Sequence, residues 1–171
     1  MLNLKIINKL RNLLIRRICR MSQSLSKIYL HLIFHIKTVS PEIEENDLAE
    51  VFSCIGNLVN STGCSNVWVG GTNNHIHILF VLSRQITVSD LVEFVKRKSS
   101  RRIKELGSKY SGFSWQRGYS VFSVSQSSFL PTLNYIKNQK GHHRKRSFRE
   151  EYLAFLALYK VDYNKDYLFT D

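Results

Sequence analysis

Apolar side chains recur in four short segments of the chain, and these segments are predicted to form four β-strands. In residues 27–37, KIYLHLIFHIK, every second side chain is a large apolar group, as in a strand with one face in the core. Residues 65–72 and 75–82 flank an Asn-Asn pair and are predicted to form an antiparallel hairpin. Residues 119–125, YSVFSVS, predict the fourth strand.

Apolar residues at helical spacing predict helices between and after these strands. The first is expected to start at Pro41, with acidic residues in its first turn, and to end near Gly63. The second covers 87–107 and starts on a hydroxyl N-cap. A third runs from about 127 to 139, and a last helix of about ten residues follows the basic stretch 140–149.

The predicted order of elements indicates the fold class. Strand, helix, strand, strand, helix, strand is the order of the ferredoxin-like fold, an α+β architecture with an antiparallel βαββαβ sheet. Two helices pack on one face of such a sheet and leave the other face open. We expect residues 21–171 to form one domain of this kind, with the additional C-terminal helix packed near the open face.

Two histidines lie on the face that the two helices leave open. Side chains of a strand alternate with a period of two, so His75 and His77 point the same way, roughly 7 Å apart. At that spacing both imidazoles can reach one metal ion or one phosphate. His31 and His35 of the first strand share this face, where we expect packing or DNA contact, and His31 is a candidate accessory residue.

The additional helix supplies two further candidate groups, Tyr135 and Gln139. Residues four apart lie on one face of a helix, so the phenol and the amide can both look onto the histidine pair. Two neutral imidazoles and an amide oxygen can serve as three ligands of a divalent cation. Tyr135 adds a nucleophile, and a phosphotyrosine formed on a DNA phosphodiester stays reactive enough to be resealed by a 3′-hydroxyl.

The charge balance indicates a polyanionic partner. The formal net charge is +12 over 171 residues, which suits nucleic acid, although a charged membrane face would satisfy the same statistic. Cations concentrate on the outer face of helix 87–107 and in 140–149, where we predict contact with the DNA backbone. The candidate DNA-binding residues are Lys96, Arg97, Lys98, Arg101, Arg102, Lys104, Arg144, Lys145 and Arg146.

Residues 1–20 form a separate basic segment with apolar residues at near-helical spacing. Basic side chains interrupt every apolar run, so the segment is too broken for a secretory signal or a membrane-spanning helix. Met21 follows directly, and two interpretations stay open. The segment is either an appended basic amphipathic helix or an upstream extension from a misassigned start.

The cysteines give no sign of a disulfide framework. The chain has three cysteines without CxxC spacing, so neither disulfide pairing nor a zinc-thiolate site is indicated. We therefore expect a cytoplasmic protein with no membrane partner.

The combination of these motifs resembles a known family. His75-Ile76-His77 is a histidine-hydrophobe-histidine (HUH) motif, and residues 134–139, NYIKNQ, followed by His142 and His143, resemble the catalytic helix of single-tyrosine HUH transposases. The resemblance extends over nearly all of 22–165. It applies also to the relatives of these transposases that are associated with repetitive extragenic palindromes (REP).

The resemblance implies a specific activity and site. The enzyme would cut and rejoin single-stranded DNA at hairpin-bearing ends, with Tyr135 as the nucleophile of a 5′-phosphotyrosine intermediate. His75, His77 and Gln139 would bind Mg²⁺ or Mn²⁺, and the enzyme would work as a homodimer, which two coordinated cuts also favour. For His142 and His143 we favour phosphate contact, with metal ligation as the alternative.

Other classes of protein share parts of this pattern. A histidine-triad nucleotide hydrolase needs a third histidine at position 79, which is leucine. A replication initiator or relaxase usually has a longer chain. The main alternative is a non-catalytic single-stranded nucleic-acid-binding module with a ferredoxin-like fold, which has no need for a histidine pair facing Tyr135 and Gln139.

Overall fold

The computed structural model describes residues 24–139, 147–164 and 168–169. The predicted N-terminal extension 1–20 lies outside the described residues. The same is true of five predicted site residues, which are His142, His143, Arg144, Lys145 and Arg146.

A four-stranded antiparallel sheet forms the centre of the fold. Its strands are β1 (Tyr29–His35), β2 (Ser65–Gly71), β3 (His75–Val81) and β4 (Ser120–Val124), in the spatial order β2-β3-β1-β4. The predicted hairpin of β2 and β3 is present. The predicted ferredoxin-like α+β class is therefore confirmed.

Two helices cover one face of the sheet and build the main core. They are α1 (Leu48–Ser61) and α2 (Val88–Glu105), and α2 begins at Thr87, whose side chain accepts a hydrogen bond from the Asp90 N–H. Among the described residues, none of the helices has the length and apolar character needed to cross a membrane. The strand residues that pack against α1 and α2 include Leu32, Phe34, Ile76, Ile78 and Phe80.

Two further helices cover the opposite face, which carries the histidines. Helix α3 (Phe129–Lys137) packs on β2 and β3, as the sequence predicts for the helix over 127–139. Helix α4 (Phe148–Leu158) packs on β1 and β4 through Tyr152 and Leu156. The sequence predicts α4 as a helix but not its place. In the part of the chain that the structure describes, both α3 and α4 cover the histidine face.

The predicted start of the first helix at Pro41 is wrong. Helix α1 begins only at Leu48, after a single 3₁₀ turn. Ile43 is buried, and its backbone N–H donates a hydrogen bond to the carbonyl of Asn73 at 2.8 Å. Because this partner is distant in sequence, local helical spacing cannot reveal the contact. The helix ends where predicted, before Gly63, whose φ of 81° suits glycine.

Candidate active site

The histidine pair, Tyr135 and Gln139 come together within this one chain. His75 and His77 are fully buried on β3, and Gln139 is buried two residues after the end of α3. The Oε1 atom of Gln139 lies 3.2 Å from His75 Nε2. The ring of Tyr135 meets the edge of the His77 ring, with 5.8 Å between the ring centroids. The predicted juxtaposition of these four residues is thus present in the structure.

The surroundings of His75 fix which of its ring nitrogens faces the site. Its Nδ1 lies 2.7 Å from Asn74 Oδ1, and an amide oxygen can only accept, so Nδ1 is the protonated nitrogen. In the neutral ring Nε2 then presents a lone pair toward the amide oxygen of Gln139. Two acceptors at this distance repel each other unless a proton or a cation lies between them. The geometry is that expected of two ligands of one metal ion.

His77 is oriented by a third buried histidine, His31. The His31 Nε2 atom lies 2.9 Å from His77 Nδ1, and the two rings stack with 5.1 Å between centroids. Burial lowers the pKa of His31 to about 4, so this imidazole is neutral at physiological pH. If His31 accepts the proton of His77 Nδ1, then His77 Nε2 offers its lone pair to the site. His31 therefore lies where it can orient His77, and its accessory role stays a prediction.

His35 has different surroundings, although it lies on the same face of β1. Its ring contacts the aromatic rings of Phe148, Tyr152 and Phe169. Its Nδ1 atom lies 2.7 Å from the carbonyl oxygen of Ile36. Packing, one of the two roles expected for His35, is what the structure shows.

Sequence reasoning missed one acidic residue of this site, Glu151 on α4. Its Oε1 atom lies 3.4 Å from His77 Nε2 and accepts a hydrogen bond from the Gln139 amide nitrogen at 3.3 Å. Burial raises the pKa of this carboxyl to about 7. Glu151 shares the inward face of α4 with Tyr152 and Phe155, and an acid among inward aromatic positions was the available signal.

The donor set fits a divalent cation. One ligand atom from each of His75, His77 and Glu151 lies within 4.8 Å of the others. Neighbouring ligand atoms of an octahedral Mg²⁺ or Mn²⁺ ion lie about 3 Å apart and opposite ones about 4.2 Å. The amide and carboxylate oxygens match the ligand preferences of these ions, and neutral imidazole is a common ligand of metal ions in proteins. The site residues can therefore hold the metal that the sequence predicts.

The close approach of α3 to the sheet depends on a glycine in β2. A β-carbon added at Gly70 would lie 2.6 Å from the carbonyl oxygen of Ile136 and 2.8 Å from its Cγ2 atom. Gly70 is paired with His77 in the β2–β3 register. The absence of a side chain at Gly70 therefore lets the backbone that follows Tyr135 lie directly against β2, beside the histidine strand.

Replacing Gly70 by alanine is expected to push α3 away from the sheet. We expect a loss of about 1–3 kcal/mol in the free energy of unfolding, measured by urea denaturation, because the clash is with backbone. Gly56→Ala is the matched control, since its β-carbon meets nothing closer than Val69 Cγ2 at 3.7 Å and alanine favours the helix. A Gly70→Ala protein as stable as the wild type would contradict this account of the helix position.

The predicted basic face of α2 lies in a different layer from the histidines. The sheet separates them, because α2 packs against the opposite face. Arg102 is paired with Glu50 and Glu105, and the Lys96 amino group donates to the carbonyls of Gln116 and Gly118. Burial lowers the pKa of Lys96 to about 8. The remaining predicted residues of this face are exposed, and they are Arg97, Lys98, Arg101 and Lys104.

Known transposases resemble this chain in sequence and in fold. The sequence profile of the family described as "Transposase IS200 like" matches residues 24–139. A crystal structure of a candidate transposase from Deinococcus radiodurans aligns with a TM-score of 0.54 and 21% identity, over 70% of this chain and 96% of that one. A REP-associated tyrosine transposase bound to a REP hairpin aligns with a TM-score of 0.49 and 10% identity, over 72% of this chain and 74% of that one. Comparison with curated proteins gives no match.

The fold and the family match define a DNA-processing enzyme. The family profile spans more than half of the chain and includes β1 to β4, α3 and Gln139. The chain belongs to the IS200-like transposase family. The resemblance drawn from the HUH motif and the tyrosine helix is confirmed at this level.

Proposed function

We propose that this transposase cuts and rejoins single-stranded DNA at hairpin-bearing ends through a covalent bond to Tyr135. The observation that carries the proposal is the convergence of Tyr135 with His75, His77 and Gln139 inside one chain. A purely binding module would gain nothing from burying two imidazoles and an amide beside a phenol, since buried polar groups cost free energy unless they are paired.

Tyr135 is the proposed nucleophile. Its oxygen would form a bond to phosphorus while the bond from phosphorus to the 3′ oxygen breaks, which leaves a 5′-phosphotyrosine and a free 3′-hydroxyl. The phenol loses one proton and the 3′ oxygen gains one, so the exchange is balanced and reversible. Phe155 packs edge-on against the Tyr135 ring, with 5.5 Å between centroids, and helps to fix its direction.

His75, His77 and Gln139 would hold Mg²⁺ or Mn²⁺. When bound, the cation would supply Lewis-acid polarisation of the scissile phosphate and neutralise charge that develops in the transition state. The protein's part is orientation: Asn74 fixes the ring of His75, and His31 fixes that of His77. With Nδ1 of each ring held by a neighbouring side chain, both imidazoles would present Nε2 to the metal ion.

The partner is proposed to be single-stranded DNA with hairpin ends, bound by two copies of the chain. Excision needs two cuts held together, and each chain offers one Tyr135 in such a site. Exposed cations of α2, including Lys98 and Arg101, would contact DNA phosphates away from the catalytic centre, on the opposite layer of the fold. The basic residues Arg144, Lys145 and Arg146 are proposed to make further phosphate contacts.

The proposal predicts a covalent protein–DNA adduct. Purified protein, Mn²⁺ and single-stranded oligonucleotides taken from palindromes near the gene should yield a species of slower mobility in denaturing gels. This species should be labelled when the oligonucleotide carries its label at the 3′ end and unlabelled when the label is at the 5′ end, because the upstream fragment leaves with a free 3′-hydroxyl. The same sequence as a duplex is the control and should give no adduct. Cleavage that leaves both fragments free of protein would contradict the proposal.

A further inference from the structure

Glu151 stands out among the described residues as the one buried acidic side chain. Its carboxylate lies 3.4 Å from His77 Nε2 and accepts a hydrogen bond from the Gln139 amide nitrogen, and its ligand atom lies within 4.8 Å of those of His75 and His77. A buried carboxylate is costly unless it is paired or coordinates a metal. Glu151 therefore lies among the residues proposed to hold the metal ion.

The helix that carries Glu151 is fixed over the histidines by its own contacts. A capping box between Ser147 and Glu150 starts α4 directly before Glu151. Phe148 stacks on the His75 ring with 4.4 Å between centroids, and Phe155 meets the edge of His31. These contacts on both sides of Glu151 direct its carboxylate to His77 and Gln139.

Charge balance favours a metal-binding role for this carboxylate. Two neutral imidazoles and an amide would leave a buried divalent cation with its whole charge uncompensated, which is unfavourable in a low-dielectric site. One carboxylate halves that charge, and a DNA phosphate could balance the remainder. Magnesium and manganese are also the ions for which carboxylate oxygens are preferred ligands.

We propose that Glu151 is a ligand of the metal ion, together with His75, His77 and Gln139. The inference rests on the metal site of the proposed function. It adds a negatively charged ligand from α4, the helix that follows the tyrosine helix α3. The metal ion would then connect β3, the end of α3 and α4, so that metal binding stabilises the docking of α4 on the sheet.

The measurement is the affinity of the full chain for Mn²⁺ alone, by titration calorimetry and by electron paramagnetic resonance of free Mn²⁺. Glu151→Gln keeps the size of the side chain and an oxygen that can accept from Gln139, but removes the charge. We expect it to weaken Mn²⁺ binding at least about tenfold. Glu93→Gln, at an exposed site on α2, is the matched control and should bind Mn²⁺ like the wild type.

A thermal unfolding experiment separates a lost ligand from a damaged fold. Without metal, Glu151→Gln should melt no lower than the wild type, because a buried charge has been removed. With Mn²⁺, the wild type and Glu93→Gln should gain in Tm, and Glu151→Gln should gain much less. Hydrogen exchange in 148–158 should slow on adding Mn²⁺ to the wild type and stay unchanged in Glu151→Gln.

The results distinguish this inference from the proposed function. Mn²⁺ binding that is lost in His75→Ala but unchanged in Glu151→Gln would overturn the role of Glu151 and leave the histidine site standing. A wild-type chain that binds no Mn²⁺ would overturn both. Weakened binding in Glu151→Gln with normal binding in Glu93→Gln would support both.

Discussion

Replacing Tyr135 by phenylalanine is expected to abolish covalent attachment to DNA. The change removes one oxygen atom and keeps the ring that packs against His77 and Phe155. Because the hydroxyl is the proposed nucleophile, adduct formation should fall below detection in a denaturing gel, and not merely slow. Binding of the same oligonucleotide, measured by fluorescence anisotropy, should change by no more than about 1 kcal/mol, the worth of one hydrogen bond.

Tyr152→Phe is the matched control for this experiment. Tyr152 is also buried on the histidine face, where its hydroxyl lies 2.5 Å from Ser120 Oγ, so the control removes a similar group without touching the proposed nucleophile. It should lose some stability and still form the adduct. An adduct that persists in Tyr135→Phe and disappears in Tyr152→Phe would assign the chemistry to α4 instead.

Replacing His77 by alanine is expected to have the second largest effect. Removing a metal ligand should weaken Mn²⁺ binding by more than about 100-fold, since even the partners that orient a ligand are worth 10- to 100-fold. Adduct formation should be lost at ordinary metal concentrations and regained in part at high Mn²⁺. Calorimetry and a metal titration of the cleavage reaction measure the two effects separately.

His35→Gln serves as the control for the histidine variant. His35 lies on the same sheet face, and its ring packs against aromatic side chains of α4. The control should bind Mn²⁺ with wild-type affinity. If His35→Gln lost the metal while His77→Ala kept it, the metal ligand would be His35 on β1 and not His77 on β3.

The sequence predicts the histidine face well because its geometry follows from short-range rules. The period of a strand places His75 and His77 on one side, and the period of a helix places Tyr135 near Gln139. One detail differs: α3 ends at Lys137, and Gln139 still turns inward beyond the helix. Tyr135 and Gln139 still lie near each other, because this requires only one turn of chain between them and not a continuous helix.

The role of α4 could not be predicted, since it depends on where a helix packs and not on whether it forms. Local spacing indicates a helix after 140–149 and says nothing about the part of the sheet it covers. In the sequence Glu151 shares a helix face with Phe148 and Phe155, but nothing there indicates that this face lies against His77, as the structure shows. The same limit explains the error at Pro41, where the pairing of Ile43 with Asn73 is a tertiary contact.

The attachment site of the DNA on the protein tests the central claim most directly. The adduct would be digested with nuclease and trypsin, and tandem mass spectrometry would locate the residual nucleotide on the peptide. The account predicts a phosphate-linked nucleotide on Tyr135 and none on the other tyrosines. A nucleotide found on any other residue, or an adduct with no modified Tyr135, would contradict it.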